Sequence, residues 1–236
     1  MIKKTSKYGS ILAFFLFIQI FKAQVSITVP SGNLHSSGLT FAEWRKPLGS
    51  YFGYERSAFI YTHTEIGQYG IINSISFYCD TLNNPGNTPL TVYMKEVDTA
   101  FFASTSTVAN EESGAVMVYS DTLSSASFVK GWVTLTLTNP FLHATSNALE
   151  VIVETNATGT GNEVSLAKGF YHYVTSGYAF QYWSADNTVP SGLGTLSYKR
   201  PNIQFDVNPV SGCSGTPVAG TAASSSSPPP RAAASS

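Results

Sequence analysis

Charge is scarce in this chain of 236 residues: Asp, Glu, Lys and Arg together make up 11% of it, and no stretch is rich in Lys or Arg. Proteins that bind nucleic acid or an anionic membrane surface depend on clustered positive charge. The composition therefore predicts a protein with no nucleic-acid partner and no membrane-surface role.

Catalytic motifs are also lacking. The sequence contains no G-x-S-x-G, H-E-x-x-H or P-loop motif, and its four histidines, at positions 35, 63, 143 and 172, are scattered. Glu150 and Glu154 lie four residues apart on one predicted strand, about 13 Å from each other, whereas glycosidase carboxyl pairs need about 5 to 9.5 Å. We interpret them as a solvated strand face, and we predict no enzyme activity and no catalytic residue.

Metal ligands do not cluster in the sequence. No Cys/His set has zinc spacing, and no run resembles the D-x-D-x-D calcium loop. Asp80, Asp98, Asp121 and Asp186 fall near predicted strand ends, where they fit either a structural calcium or ordinary turns. We therefore predict no cofactor, with structural calcium as an open alternative that no motif supports.

Only two cysteines are present. Cys79 alternates with Ile75 and Phe77 in a strand pattern, which predicts a buried thiol, and Cys213 lies beyond the last predicted strand. A disulfide between them stays open, because sequence does not fix the geometry that a disulfide needs.

Long apolar runs are limited to residues 11–21, which follow Lys3, Lys4 and Lys7. This pattern is typical of a secretory signal peptide over residues 1–23, cleaved after Ala23, and the run is too short to span a membrane easily. A retained anchor is the alternative. Cleavage removes four of the 13 basic residues and leaves nine against 14 acidic ones, a net charge of −5. We expect a secreted or cell-surface protein with no membrane insertion after cleavage.

Period-two alternation dominates the rest of the chain. It is clear at residues 90–95, 133–138, 149–154 and 203–207, with turn-forming clusters at 82–89, 156–162 and 184–192. Short strands joined by such turns predict an all-β fold, an antiparallel β-sandwich that is jelly-roll-like, over residues 24–208. Residues 209–236 are small, polar and proline-rich, which predicts a disordered linker.

Six stretches in order resemble a known module. They are residues 51–67 (YFGYERSAFIYTHTEIG), 71–78 (IINSISFY), 90–98 (LTVYMKEVD), 131–141 (GWVTLTLTNPF), 147–156 (NALEVIVETN) and 194–207 (GTLSYKRPNIQFDV). Together they resemble the N-terminal β-sandwich module of secreted flavobacterial and other Bacteroidetes surface proteins exported by the type IX secretion pathway. The resemblance implies adhesion or carbohydrate binding, with glycans or host and surface macromolecules as partners, and it supplies no catalytic residues.

The same resemblance bears on the tail. Residues 213–221 look like the first strand of an immunoglobulin-like repeat that follows the module in such proteins, where Cys213 would pair with a later cysteine. Because one strand cannot bury itself, the expectation is a truncated repeat, with a genuine flexible linker as the alternative. Two other interpretations of the protein's function remain. It is a structural spacer or folding unit with no ligand, or it is the accessory domain of a secreted hydrolase.

The best candidate for a sugar site is the aromatic-rich stretch 170–183. Alternation there places Trp183 and Gln181 on one face, near Asp186 and Asn187, which predicts an exposed platform that binds a sugar ring. The alternative is that Trp183 caps the sandwich edge. Trp132 and Trp44 are weaker candidates.

Three short sequons resemble the Asp-Ser/Thr-apolar signal for O-glycosylation in this bacterial phylum. They would place glycans on Thr81, Thr99 and Thr122, each next to a predicted strand end.

Overall fold

The computed structural model of the protein describes residues 23–31, 38–83, 85–161 and 168–210. The predicted signal peptide up to residue 22 and the tail from residue 211, including Cys213, lie outside the described residues.

Thirteen strands and three short α-helices make up the described chain. The strands are β1 Val25–Val29, β2 Tyr54–Tyr61, β3 Gly70–Leu82, β4 Thr88–Val97, β5 Val116–Leu123, β6 Gly131–His143, β7 Ala148–Asn156, β8 Lys168–Phe170, β9 His172–Val174, β10 Phe180–Ala185, β11 Thr195–Ser197, β12 Lys199–Pro201 and β13 Ile203–Pro209. The helices are α1 Phe41–Trp44, α2 His63–Ile66 and α3 Val108–Glu112. The predicted all-β fold is confirmed.

Eight of the strands form a jelly roll. One sheet has the order β1-β13-β3-β6 and the other contains β2-β7-β4-β5, and all of these pairs are antiparallel. Except for β4 and β5, which are neighbours in one sheet, successive strands of this set alternate between the two sheets, as in a jelly roll. The insertion between β7 and β13 supplies the remaining short strands: β8 pairs with β3, β10 and β11 extend the second sheet beyond β2, and β9 pairs with β12.

The main core lies between the two sheets. Ile75 and Phe77 on β3 and Phe205 on β13 meet Phe59 and Val151 of the opposite sheet, and all five are fully buried. The alternation that predicted these strands is the cause, since every second side chain of the five-stranded sheet points into the core.

The six-stranded sheet is buried on its outer face as well. Residues 98–115, which we call the cover segment, connect β4 to β5 and contain α3. Phe102 and Val108 of this segment pack against Ile60, Ile152 and Trp183 in a second apolar cluster. This explains why β2 and β7 are buried along nearly their whole length.

Two of the helices are fixed by their own sequence. Thr40 and Thr62 cap α1 and α2, and Glu43 and Glu65 three residues later complete reciprocal capping boxes. The caps therefore set the start of α1 at Phe41, four residues before Arg45, and the start of α2 at His63.

Candidate functional site

The predicted sugar platform is wrong in its central feature. Trp183 is 4% exposed and Gln181 is fully buried. The cover segment lies over both: Trp183 Nε1 donates to the Ser106 carbonyl at 3.2 Å, and Gln181 Nε2 donates to the Ser106 hydroxyl at 2.9 Å. Alternation correctly placed the two side chains on one face, but it could not show that a distant segment covers that face.

Asp186 and Asn187 hold neighbouring loops together. The Gly53 amide donates to Asp186 Oδ1 at 3.1 Å, and the Asn187 amide donates to the Gly159 carbonyl at 2.6 Å. Asn187 has a φ of 61°, a left-handed conformation that asparagine tolerates better than most residues. These two residues therefore shape the loops beside Trp183.

A cleft does open beside Trp183. It has a volume of about 570 Å³ and lies between residues 188–193 on one side and Ala42, Arg45 and Phe52 on the other; we call it the loop cleft. Trp183 forms part of its wall. Val189 and Leu193 stand at its rim, 52% and 69% exposed. The sequence predicted an exposed platform here, whereas the structure has a cleft with a buried tryptophan in its wall.

Arg45 links the loop cleft to a buried ionic cluster. Its Nε lies 2.5 Å from Glu55 Oε1, and Lys46 Nζ lies 3.1 Å from the same oxygen. Burial would raise the pKa of Glu55, but the two cations outweigh it and lower the pKa below its usual value. Burial lowers the pKa of Lys46 to about 8, in spite of Glu55. Lys168 is buried nearby, and burial lowers its pKa to about 8 as well.

The outer face of the five-stranded sheet, which we call the open face, carries short polar side chains in register. Two rows cross four strands each: Thr28, Gln204, Ser76 and Thr134 form one, and Ser26, Asp206, Ser74 and Thr136 form the other. The Ser76 and Thr134 hydroxyls lie 2.8 Å apart, and Ser74 donates to Asp206 at 2.7 Å. Thr134 and Thr136 on β6 and Ser26 on β1 are exposed, whereas Ser74 and Ser76 on β3 are 6% and 2% exposed, so the hydroxyl groups that face solvent lie on the two outer strands.

A third row on the open face is aromatic. Tyr78 on β3 pairs with Trp132 on β6, and the Tyr171 amide donates to the Tyr78 carbonyl at 2.9 Å. The Tyr78 ring stacks on Tyr171, with centroids 5.0 Å apart, and meets Trp132 edge to face at 5.3 Å. All three rings are partly exposed. Trp132, a weaker candidate in the sequence, therefore belongs to a three-ring row that spacing along the chain did not indicate.

Trp44, the other weaker candidate, lies against backbone. A Cβ on Gly169 would come within 2.0 Å of the Trp44 indole, so the indole packs directly on β8.

Two histidines that are remote in sequence meet in the structure. His143 Nδ1 lies 2.8 Å from Glu96 Oε1, and His143 Nε2 lies 3.0 Å from His63 Nδ1. Glu96 is an acceptor only, so His143 donates to it from Nδ1, and either ring nitrogen can be the donor between His143 Nε2 and His63 Nδ1. Burial, and then the charge of His143, lower the pKa of His63. The hydrogen-bonded series Glu96–His143–His63 could relay a proton, but a hydrolytic site also needs a nucleophile and oxyanion donors.

Glu150 and Glu154 do not form a solvated strand face, which corrects the expectation from sequence. Glu150 is 2% exposed, with Lys95 Nζ 3.3 Å from its Oε2, and it lies beside Glu111 of α3, while Glu154 lies beside Glu112. Burial and then the neighbouring carboxyl raise the pKa of Glu150 to about 8 and that of Glu112 to about 7. The reason is again the cover segment, which places α3 above β7.

The three candidate glycosylation threonines differ in access. Thr122 is exposed on β5, Thr99 is exposed but donates its hydroxyl to the Phe101 carbonyl at 2.7 Å, and Thr81 is partly buried on β3. Thr122 thus has the most accessible hydroxyl of the three.

Within the described residues, no group of three or more His, Cys, Asp or Glu side chains is placed to hold a metal ion. In the same ranges, no helix is long and apolar enough to cross a membrane. Comparison of the chain with protein-family models, curated proteins and solved structures returned no significant match.

Proposed function

We propose that this protein is a non-catalytic extracellular module that binds glycans through its open face. The observation that carries the proposal is the aromatic row Trp132–Tyr78–Tyr171 beside two rows of hydroxyl and amide side chains. An apolar ring face packs against the C–H face of a sugar, and nearby hydroxyls and amides exchange hydrogen bonds with its hydroxyls.

The shape of the open face fits an extended ligand better than a small substrate. Its rows run across strands that lie about 4.8 Å apart, so the polar groups form a flat, regular surface. Asp206 is the one charged residue in the two polar rows, and its carboxylate already accepts from Ser26 and Ser74. An uncharged polysaccharide matches this chemistry, and shallow contacts of this kind favour weak binding, with Kd of micromolar to millimolar order.

An extracellular location is part of the proposal. It is supported by the basic start and apolar run of residues 1–23, and by the sequence resemblance to secreted flavobacterial modules of the type IX pathway. Adhesion to a glycan-coated surface would follow from such a location.

A structural spacer is the second candidate function. The observation that favours it is the burial of Trp183 and Gln181, which turns the expected binding residues into packing residues. The two candidate functions are distinguished by whether the open face binds a glycan.

A polysaccharide panel tests the proposal. We expect at least one neutral polysaccharide in a native gel to retard the full chain. We expect Trp132→Ala and Tyr171→Ala to weaken this binding about tenfold or more, because each variant removes a ring contact. Tyr198→Ala is the matched control, since Tyr198 is an aromatic residue that is 43% exposed away from the row.

Two results would contradict glycan binding through the open face. One is the absence of binding to every polysaccharide in the panel, which would leave the spacer function. The other is equal loss of binding in Tyr198→Ala and Trp132→Ala, which would show that the row has no special role. Thermal unfolding of each variant verifies that the fold is kept.

A further inference from the structure

Three buried cations lie around the buried carboxylate of Glu55, and one of them, Arg45, lines the loop cleft. Arg45, Lys46 and Lys168 are 5%, 0% and 3% exposed, and Glu55 is the buried carboxylate that they share. Lys168 donates to Thr88 at 2.5 Å and to Ser50 at 3.4 Å. Buried charge without a counter-charge is costly, so a site of this kind gains from a bound anion.

Nearby acidic residues are engaged elsewhere. Glu43 pairs with Lys199 at 3.5 Å and accepts from Ser197 at 2.5 Å. Glu154 pairs with Arg56 at 2.5 Å. Asp186, the acidic residue of the loop beside the cleft, accepts from the Gly53 amide. Glu43 and Glu154 are therefore paired with other cations, and Glu55 is the carboxylate in direct contact with Arg45 and Lys46.

Arg45 brings this charge to the cleft surface. Its guanidinium donates from Nε to Glu55, from Nη1 to the Phe41 carbonyl and from Nη2 to the Ser184 hydroxyl. An arginine has five N–H donors, so two remain for a ligand. The guanidinium carbon lies 4.9 to 5.4 Å from the centroids of Phe41, Tyr51 and Phe52, which hold it in a fixed orientation.

The remaining cleft wall suits a sugar ring. Phe52 and Pro190 contribute apolar surface, while Ser184 and Thr195 contribute hydroxyls. A volume of about 570 Å³ accommodates one or two pyranose rings, within the range of small-ligand sites.

We propose that the loop cleft binds the carboxylate of an acidic sugar, a hexuronate, with Arg45 as the carboxylate-binding residue. This inference rests on the proposed glycan-binding function but uses a different surface, so the two can fail separately. It gives the module a preference for uronate-containing polysaccharides.

The test compares charged and neutral forms of the same sugar. Tri-galacturonate, tri-glucuronate and tri-mannuronate are titrated into the full chain by calorimetry, beside their methyl esters and sodium acetate. We expect at least one acid to bind about tenfold or more tightly than its ester and acetate, and to weaken between 50 and 300 mM salt, because the contact is ionic.

A rim variant locates the site without touching the core. Leu193→Asp adds a negative charge at an exposed position, and Leu193→Asn is the matched neutral control. We expect the aspartate to weaken uronate binding about fivefold or more, and the asparagine to change it less than twofold.

Several outcomes would overturn the inference. They are binding of no acid, equal binding of acid and ester, equal effects of the two Leu193 variants, and acetate binding as tightly as the sugar. Trp132→Ala separates the surfaces: it should leave uronate binding intact. If uronates bind and no neutral polysaccharide does, the open-face proposal fails and the cleft proposal stands.

Discussion

Glu150 shows how far a single residue can depart from its ordinary chemistry. It lies buried on β7, with Lys95 Nζ 3.3 Å from its Oε2 and with the Glu111 carboxyl beside it. A second carboxyl group beside Glu150 disfavours its ionisation, because like charges repel. The raised pKa of Glu150, about 8, therefore reflects burial first and then the charge of Glu111.

This gives a pH-dependent prediction. A carboxyl whose pKa is raised from 4.5 to about 8 on folding keeps its proton in the folded state and loses it in the unfolded state between those values. Its contribution to stability is full below about pH 4.5 and is lost as pH rises to 8. We expect Glu150→Gln, which cannot ionise, to gain stability relative to the wild type across pH 5 to 8, by up to about 1.4 kcal/mol per pH unit.

Urea unfolding of both proteins at each pH provides the measurement. The difference between the two is the informative quantity, since burial lowers the pKa of His63 and of His172, the latter to about 4, and these groups affect both proteins alike. A difference that does not change with pH would contradict the raised pKa of Glu150.

At the scale of elements, the cover segment decides which surfaces are available. Ser106 is its main polar anchor: its amide donates to Gln181 Oε1 at 3.2 Å, and its carbonyl accepts from Trp183 Nε1 and the Gly194 amide. Phe102 and Val108 add apolar contacts on either side. The segment thereby buries β2 and β7 on both faces, while β5 at the edge of the same sheet stays largely exposed.

Removal of Trp183 should release this segment. Trp183→Ala deletes a buried indole and its hydrogen bond to Ser106, so we expect a loss of about 3–5 kcal/mol in the free energy of unfolding. In the variant, hydrogen exchange should become faster at residues 98–115, with a smaller increase in rate in β3.

Trp132→Ala is the matched control, because Trp132 is partly exposed on the open face. We expect it to cost less than half as much stability and to leave exchange in the cover segment unchanged. Equal costs in the two variants would show that the burial of Trp183 contributes little.

At the scale of the whole molecule, β3 is the central connection of its sheet. It pairs with β13, β6 and β8 along its 13 residues. Cys79 lies on this strand, fully buried, with its thiol donating to the Thr81 carbonyl at 3.2 Å. Burial raises the pKa of the thiol to about 11, so little thiolate is present at neutral pH.

Cys79 should therefore report global unfolding. In a Cys213→Ser variant, we expect a water-soluble disulfide reagent to label Cys79 at the rate of global unfolding, and at once in denaturant. Mass spectrometry of the wild type tests the open question of a Cys79–Cys213 disulfide. Rapid labelling of the native Cys213→Ser variant would mean that β3 opens locally.

The sequence by itself determined the secondary structure and the architecture to a large extent. Alternation at residues 133–138 and 203–207 fixes which side chains of β6 and β13 enter the core, because side chains of a strand point to opposite faces in turn. The T-x-x-E pairs at Thr40 and Thr62 likewise fix local helix starts. These signals are local, so a single sequence contains them in full.

Only the tertiary structure decided which faces stay exposed and which distant residues meet. Trp183 and Trp132 both follow a strand pattern, yet the cover segment buries the first, and cross-strand pairing aligns the second with Tyr78 and Tyr171. Tertiary structure also brings together residues that are far apart in the sequence: Glu150 lies beside Glu111, and His63 lies beside His143. Burial and charge pairing depend on contacts between such segments, and periodicity along one strand does not encode them.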